Sequence, residues 1–513
     1  MTRAEHSFPE KAPLYATPLG VWAVVALWGV AHLLLRALST PVLGTDDMFE
    51  NVLVQTLEPG YMLRQPPLYE WLLWSAQQAL GPTIWAALVV KYGLISLAAL
   101  FLFLIARKAI ADPRLAALSV FSCSLYYQFG WNLHEGVTHT VVLTTACAMS
   151  AFFFLKALET GRLAFYVLFG LAAGAGLLGK HSYPLFALAL VIAAASDRSL
   201  SGRLSATGLA LVPLAAALVY SPYAWWILSE GLKLFASVSD TMGVSAETSH
   251  LARAVEGLGK LAFGLLGFSV PLLPILLILF WPRYLGRRKP LKPAASDAAR
   301  LCGRTVVVMI VLTALMIVLT GATYVKERHM HPLLLLLPIW LFADLERHGF
   351  ERQWRWLAAV IVAFAAIAIA ARVPGLIAPD RFWCGGNCRH MKPYAELQAP
   401  LANLGASTAT LVTNDGYTGG NLRVLFPDAR VVTRAIPALS GPRERCFYVW
   451  EDGEMEPQTP ADERFDEVAY WQAGKPLSAT YLEGSWAHLW KPSGWRSTWW
   501  GVAEISPDEP VCR

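Results

Sequence analysis

The sequence predicts an α-helical polytopic membrane protein of about eleven spans with a soluble C-terminal α/β domain. Three observations predict it. Of 513 residues, 55% are hydrophobic and only 15% charged, at a mean hydropathy of +0.44; a soluble domain carries about a quarter charged residues. The apolar residues fall in blocks of roughly 16 to 22, the length that crosses a bilayer as helix. Finally, the connections between blocks alternate between basic and less basic, as they do when cytoplasmic loops collect Lys and Arg.

In order, the spans are expected at Pro18–Ala37, Ile84–Ala106, Leu115–Phe129, Val137–Leu155, Ala164–Leu178, Pro184–Ala195, Ala206–Ile227, Leu261–Trp281, Val306–Leu319, Pro332–Phe342 and Trp356–Ala371. The polar N-terminal stretch has no cleavage pattern, so the first apolar run is expected to stay as a span. The basic connections hold Arg107, Lys108 and Arg114; Lys156 and Arg162; Arg198 and Arg203; a run from Arg283 to Arg304; and Arg347, Arg352 and Arg355. With the N-terminus inside, these are cytoplasmic. Ser39–Thr83, Gly130–Gly136, Gly179–Tyr183, Leu228–Lys260, Gly321–His331 and the tail then face outward. Residues 1–372 form the membrane domain, with its first outward loop at 39–83, and residues 373–513 form the soluble domain.

The tail changes composition. Strand-like runs at Ala409–Thr413, Ala429–Thr433 and Cys446–Trp450 read as a small α/β or α+β domain. Four of the seven cysteines, Cys384, Cys388, Cys446 and Cys512, lie in it. An even set in an oxidising compartment suggests two disulfides of undetermined pairing, with a Cys-x3-Cys metal site as the weaker alternative. The net charge of +5 carries little meaning in a membrane protein, and no nucleic-acid motif occurs.

Chemistry concentrates on the outward connections. Asp46 and Asp47 follow the first span directly, where a carboxylate near lipid needs a reason; a displacement at a sugar carbon needs a general base. The bland alternative is a solvated loop with capping Asp residues. Tyr61–Trp74, broken by Pro66-Pro67, reads as an interfacial helix. A third carboxylate, Glu135, lies on the next outward connection, equally readable as a polar turn or as a partner to Asp46. Two outward segments are basic against the general trend: Gly179-Lys180-His181-Ser182-Tyr183 and Tyr324-Val325-Lys326-Glu327-Arg328-His329-Met330-His331. Such cations suit a phosphate group, or else snorkel to lipid headgroups. A divalent metal at a His/Glu cluster is the minor alternative; no other cofactor is expected.

These motifs occur together. The Asp46-Asp47 pair, Gln65-Pro66-Pro67-Leu68-Tyr69, Gly179-Lys180-His181 and Lys326-Glu327-Arg328-His329 resemble the GT-C membrane glycosyltransferases related to protein O-mannosyltransferases and the lipid A aminoarabinose transferase. The likeness is greatest to the bacterial branch that decorates lipopolysaccharide, galacturonosyltransferases included, and extends to Gly419-Gly420-Asn421-Leu422-Arg423 in the tail. The resemblance implies a multi-pass protein of the bacterial inner membrane with a periplasmic site. It also implies a polyprenyl-phosphate-linked sugar donor, a lipid or glycan acceptor (lipid A or lipopolysaccharide core), and inversion at the anomeric carbon. Asp46 would be the base, Asp47 would assist with the acceptor, and Glu135 falls near the family's second acidic position. Lys180, Lys326 and Arg328 would engage the phosphate, while Tyr69, His181, Tyr183, His329 and His331 are candidate substrate contacts. The aminoarabinose branch usually has Asp-Glu and a Lys before Pro-Pro; this chain has Asp47 and Gln65 there, with Arg64 the candidate for the missing charge. A lipid or sugar transporter is the competing reading, but inverted repeats and broken mid-membrane helices are not evident. A receptor or scaffold would leave both charged clusters unexplained.

Overall fold

The computed structural model describes residues 12–244, 248–284, 290, 295–349, 353–378, 388–433, 441, 443–453, 479–490 and 496–512. Among these, six helices are long and apolar enough to cross a membrane. They are α1 (Pro18–Ser39), α4 (Ile84–Ala109), α6 (His139–Thr160), α9 (Ala206–Ser229), α12 (Asp297–Thr320) and α14 (Gln353–Ile377). Three shorter apolar segments join them: α5 (Pro113–Phe121) with the 3₁₀ turn continuing it to Leu125, α7 (Leu163–Leu177) and α8 (Tyr183–Ala195). The protein is a multi-pass membrane protein. Helix α6 is its centre, packed against α4, α7 and α8 and mostly buried, whereas α9 and α14 are little buried. Those two outer helices turn Leu218, Trp225, Val362 and Ile367 outward, as lipid-facing helices must.

Two expected spans differ. The run expected at Leu261–Trp281 is two helices, α10 (His250–Ser269) and α11 (Leu272–Leu279). Pro271 separates them, lacking the N–H an uninterrupted helix requires. The run at Pro332–Phe342 likewise divides into a single turn, His331–Leu334, and α13 (Leu337–Arg347). The last span ends at Ile377, beyond the expected domain boundary at 372.

The first loop folds into two short helices at one end of the bundle, α2 (Thr45–Leu53) and α3 (Leu68–Leu80). Helix α3 takes the place of the interfacial helix expected at Tyr61–Trp74, shifted because Pro66-Pro67 ends the irregular stretch rather than entering the helix. The opposite end carries the basic connections, cross-linked by Arg300–Asp197 at 2.9 Å, Arg203–Asp297 at 2.8 Å and Lys108–Glu159 at 3.0 Å.

The tail domain is a five-stranded sheet in the order β2-β1-β3-β5-β4. Its strands are β1 (Thr410–Thr413), β2 (Arg430–Thr433), β3 (Cys446–Gly453), β4 (Ala479–Ser485) and β5 (Ser497–Ile505). β1 runs parallel to β2 and β3, and β5 antiparallel to β3 and β4. Helix α15 (Gly416–Leu425) connects β1 to β2, as a parallel pair requires. Cys446 and Cys512 form a disulfide. Cys388 is also disulfide-bonded, and Cys384 lies outside the described residues.

Candidate active site at the α2 end of the bundle

The chain leaves α1 through a turn held by Arg36, whose guanidinium donates to the carbonyls of Thr40, at 3.0 Å, and Val42. Thr45 then adopts φ +37°, a left-handed conformation that a β-branched residue rarely takes. Gly136 lies against it: a Cβ there would stand 1.7 Å from Thr45 Oγ1 and 2.7 Å from Asp46 N. The loop bearing Glu135 can approach α2 only because residue 136 has no side chain.

The two adjacent carboxylates point different ways. Asp46 lines a cavity of about 620 Å³ together with Gln128, Asn132, Glu135, Lys260, Lys326 and Arg328. Asp47 is buried behind it, 3.7 Å from Lys91 Nζ, and Lys91 also donates to the Glu135 carbonyl. Burial pushes the Asp46 carboxyl up to about 6, helped by Glu50 and Asp47 and opposed by Arg328. Burial also raises Asp47, against the pull of Lys91 and Arg36. At Glu135 burial acts upward too, but His390 and Arg372 outweigh it and hold the carboxyl at about 2. His390 Nε2 lies 3.1 Å and Arg372 Nη1 3.5 Å from that carboxylate.

Lys326 and Arg328 face Asp46 and Glu135 across the cavity. Arg328 donates to the Tyr324 hydroxyl at 2.9 Å, and Lys326 Nζ stands 4.6 Å from the centre of the same ring. No carboxylate pairs with either among the described residues. Two cations lining the cavity, neither in an ion pair among the described residues, suit an anionic group. Lys180 sits behind, donating to Thr140 Oγ1 at 2.7 Å; burial, then Arg328, lower its ammonium to about 8, while Asp46 acts the other way. Arg64 lies on the Lys180 side of the site and lowers the Lys180 ammonium a little further.

The aromatic and imidazole candidates mostly hold the frame. His181 bonds the Leu63 carbonyl at 2.8 Å, and Leu68 N donates to the Leu178 carbonyl at 3.1 Å, so the 179–183 turn pins the Pro-Pro segment. Tyr183 is buried and shares a 2.6 Å hydrogen bond with Ser150, away from the cavity. His329 accepts from the Lys326 amide at 3.3 Å. His331 bonds the Arg328 carbonyl at 2.8 Å and packs between Phe129 and Phe268. Tyr69 is fully buried beside His139.

Other participants carried no reading in the sequence: Arg36, Lys91, Arg372 and His390 surround the carboxylates. Lys91, a charge inside an apolar span, gave a signal, because intramembrane ionisable residues mark functional sites. His390 gave none, since it arrives from the tail.

The tail also grips α2. Asn421 accepts from Leu43 N at 2.7 Å, Asn51 donates to the Gly420 carbonyl at 2.9 Å, and Arg423 donates to the carbonyls of Asn51 and of Val54, the latter at 3.1 Å. Gln55 closes two 2.8 Å bonds with the Val431 backbone. A Cβ on Gly420 would stand 2.1 Å from the Met48 carbonyl oxygen, so this glycine permits the contact. The Gly419–Arg423 motif is thus a clamp on the helix that bears Asp46.

A polytopic helical bundle with a charged cavity at one end and an appended α/β domain is the architecture of GT-C membrane glycosyltransferases. Residues 64–226 match the family described as dolichyl-phosphate-mannose-protein mannosyltransferase. The fold resembles that of ArnT from Cupriavidus metallidurans, solved bound to undecaprenyl phosphate, with a TM-score of 0.58 and 15% identity over 95% of this chain and 97% of that one. Among characterised sequences, the lipopolysaccharide core galacturonosyltransferase RgtA of Rhizobium johnstonii is 31% identical over 83% of this chain and 85% of its own length. RgtB of the same organism is 27% identical over 84% and 86%. The chain belongs to this family of GT-C enzymes and is a glycosyltransferase, which sets aside the transporter and scaffold readings.

Proposed function

We propose that the protein is an inverting transferase that moves a galacturonosyl group from a polyprenyl-phosphate donor to the lipopolysaccharide core or lipid A, at the periplasmic face of the bacterial inner membrane. The observation that carries this reading is the single cavity in which Asp46 and Glu135 face Lys326 and Arg328. Further support comes from the printed activities of RgtA and RgtB and the lipid phosphate bound by ArnT. The basic connections at the other end of the bundle favour an outward-facing cavity.

In this mechanism the acceptor hydroxyl gives its proton to the Asp46 carboxylate as its oxygen attacks the anomeric carbon. The bond from that carbon to the donor phosphate oxygen breaks on the opposite side, and the electron pair leaves with the phosphate. Inversion follows from this single displacement. Lys326 and Arg328, with Lys180 behind, stabilise the charge growing on the phosphate. Asp47, held by Lys91, orients the α2 turn and reaches the acceptor only through it. Glu135, kept ionised by Arg372 and His390, is an acceptor for sugar or acceptor hydroxyls.

The test is single-turnover transfer with purified protein, measured beside donor binding. Asp46→Asn should abolish transfer and leave donor binding near normal. Near-normal transfer by this variant would remove Asp46 as the base.

A further inference from the structure

Behind Asp46, one helical turn along α2, lies a second cluster that the transfer reaction does not use. Glu50 on α2, Glu70 in the first turn of α3 and His139 at the start of α6 converge at full burial, each at most 2% exposed. His139 Nε2 is 3.0 Å from Glu50 Oε1 and 3.5 Å from Glu70 Oε1, and the three donor atoms all lie within 4.8 Å of one another. Thr138 Oγ1 donates to Glu50 Oε1 at 3.2 Å, orienting it. Glu50 Oε2, both Glu70 oxygens and the neighbouring Tyr69 hydroxyl are buried without a hydrogen-bond partner.

Two carboxylates in contact, away from water, cannot both stay ionised without a compensating charge. Among the described residues no Lys or Arg pairs with either one; Lys91 is taken by Asp47 and Arg372 by Glu135. One imidazolium offsets at most one of the two. A proton shared between the carboxylates would satisfy one oxygen on each and leave the other polar atoms around them unpartnered. A dication answers both deficits. Carboxylate oxygen and imidazole nitrogen are the donors that zinc takes at about 2.0–2.2 Å. Bonds of that length put neighbouring donors about 3.0–3.5 Å apart, and the two His139 distances fall in this span.

We infer that Glu50, Glu70 and His139 form a divalent-cation site, with zinc the best match to the donor set and manganese the next. The Tyr69 hydroxyl or a water is the fourth ligand. None of the three protein ligands lines the cavity, so the ion does not touch the donor phosphate. It ties α2, the helix that bears Asp46, to α3 and α6. Its role is to position the helix, independently of the sugar transferred.

The experiment uses full-length, tag-free protein in detergent, with metal content read by plasma mass spectrometry and stability by thermal melting. Wild type should carry stoichiometric zinc, or take it up from added Zn²⁺ and hold it through gel filtration. A chelator should lower its melting midpoint and Zn²⁺ should restore it. Glu70→Gln and His139→Gln should lose the metal and the response to chelator. The chelation arm involves no substitution, so it decides the matter even where a variant folds poorly. Wild type that neither contains nor acquires zinc or manganese overturns the site. So does metal that both variants retain, which would be adventitious binding elsewhere. A metal-free wild type that Glu70→Gln stabilises would show that the pair shares a proton instead.

Discussion

Asp46 can act as a base only while ionised, and its surroundings work against that. Its carboxyl is raised to about 6 by burial and by Glu50 and Asp47. A raised acid is protonated first as pH falls, so transfer should be level above this value and drop as pH falls through about 6. A pH–rate profile under single-turnover conditions checks it; a flat profile between pH 5 and 8 would sink the assignment. A dication at Glu50 would offset part of that repulsion, so chelation should move the acid limb to higher pH. If Lys326 and Arg328 hold the donor phosphate, Lys326→Gln or Arg328→Gln should each cost about 1.5–3 kcal/mol, roughly one to two decades in transfer rate. Unchanged kinetics in both would leave these cations as headgroup contacts. Gly136→Ala probes the approach of the Glu135 loop to α2: the added methyl meets Thr45 and the Asp46 amide. It should depress transfer strongly while the bundle melts nearly as before.

At the scale of elements, α2 buries Val52 and Leu53 in the core and is gripped on its other side by the clamp from α15. Arg423→Ala leaves the carbonyls of Asn51 and Val54 without their donor, and buried unpaired groups cost about 1–3 kcal/mol each. Expected is loss of transfer and faster proteolysis of the 39–83 loop, with membrane insertion intact. Unchanged activity and protection would mean that α2 holds its place without the tail. This clamp also shows what a sequence can carry. Helices α1 and α4 are legible because each is one apolar run ended by polar residues. Helices α10 and α11 are not, since hydropathy ignores the break that Pro271 makes. Asp46, Lys326 and Arg328 stand out as charges where lipid or sidedness disfavours them. Glu50, Glu70 and His139 give no such signal: they come from three elements, and only folding brings them within reach of one another. Strands β1 to β3 show as β-branched or aromatic runs, whereas β4 and β5, each interrupted by a glycine (Gly484, Gly501), do not.

For the whole molecule, the decisive property is sidedness. If the cavity faces outward, Ser485→Cys in the tail should react with an impermeant maleimide in cells with a permeabilised outer membrane. Ser201→Cys, at the basic end of the bundle, should react only after lysis. The reverse labelling would invert the topology and the proposed site of transfer with it.

The clamp on α2 has a meaning in time as well as in space. Leu43 and Asn421, which bond each other, are separated by 378 positions in the chain. During synthesis the helix bearing Asp46 emerges early, and its partner emerges only after every span has been made. Until the tail has folded, the helix bearing Asp46 lacks the hydrogen bonds that α15 supplies. If Arg423→Ala silences transfer, a chain truncated before Gly416 is expected to enter the membrane and yet transfer no sugar.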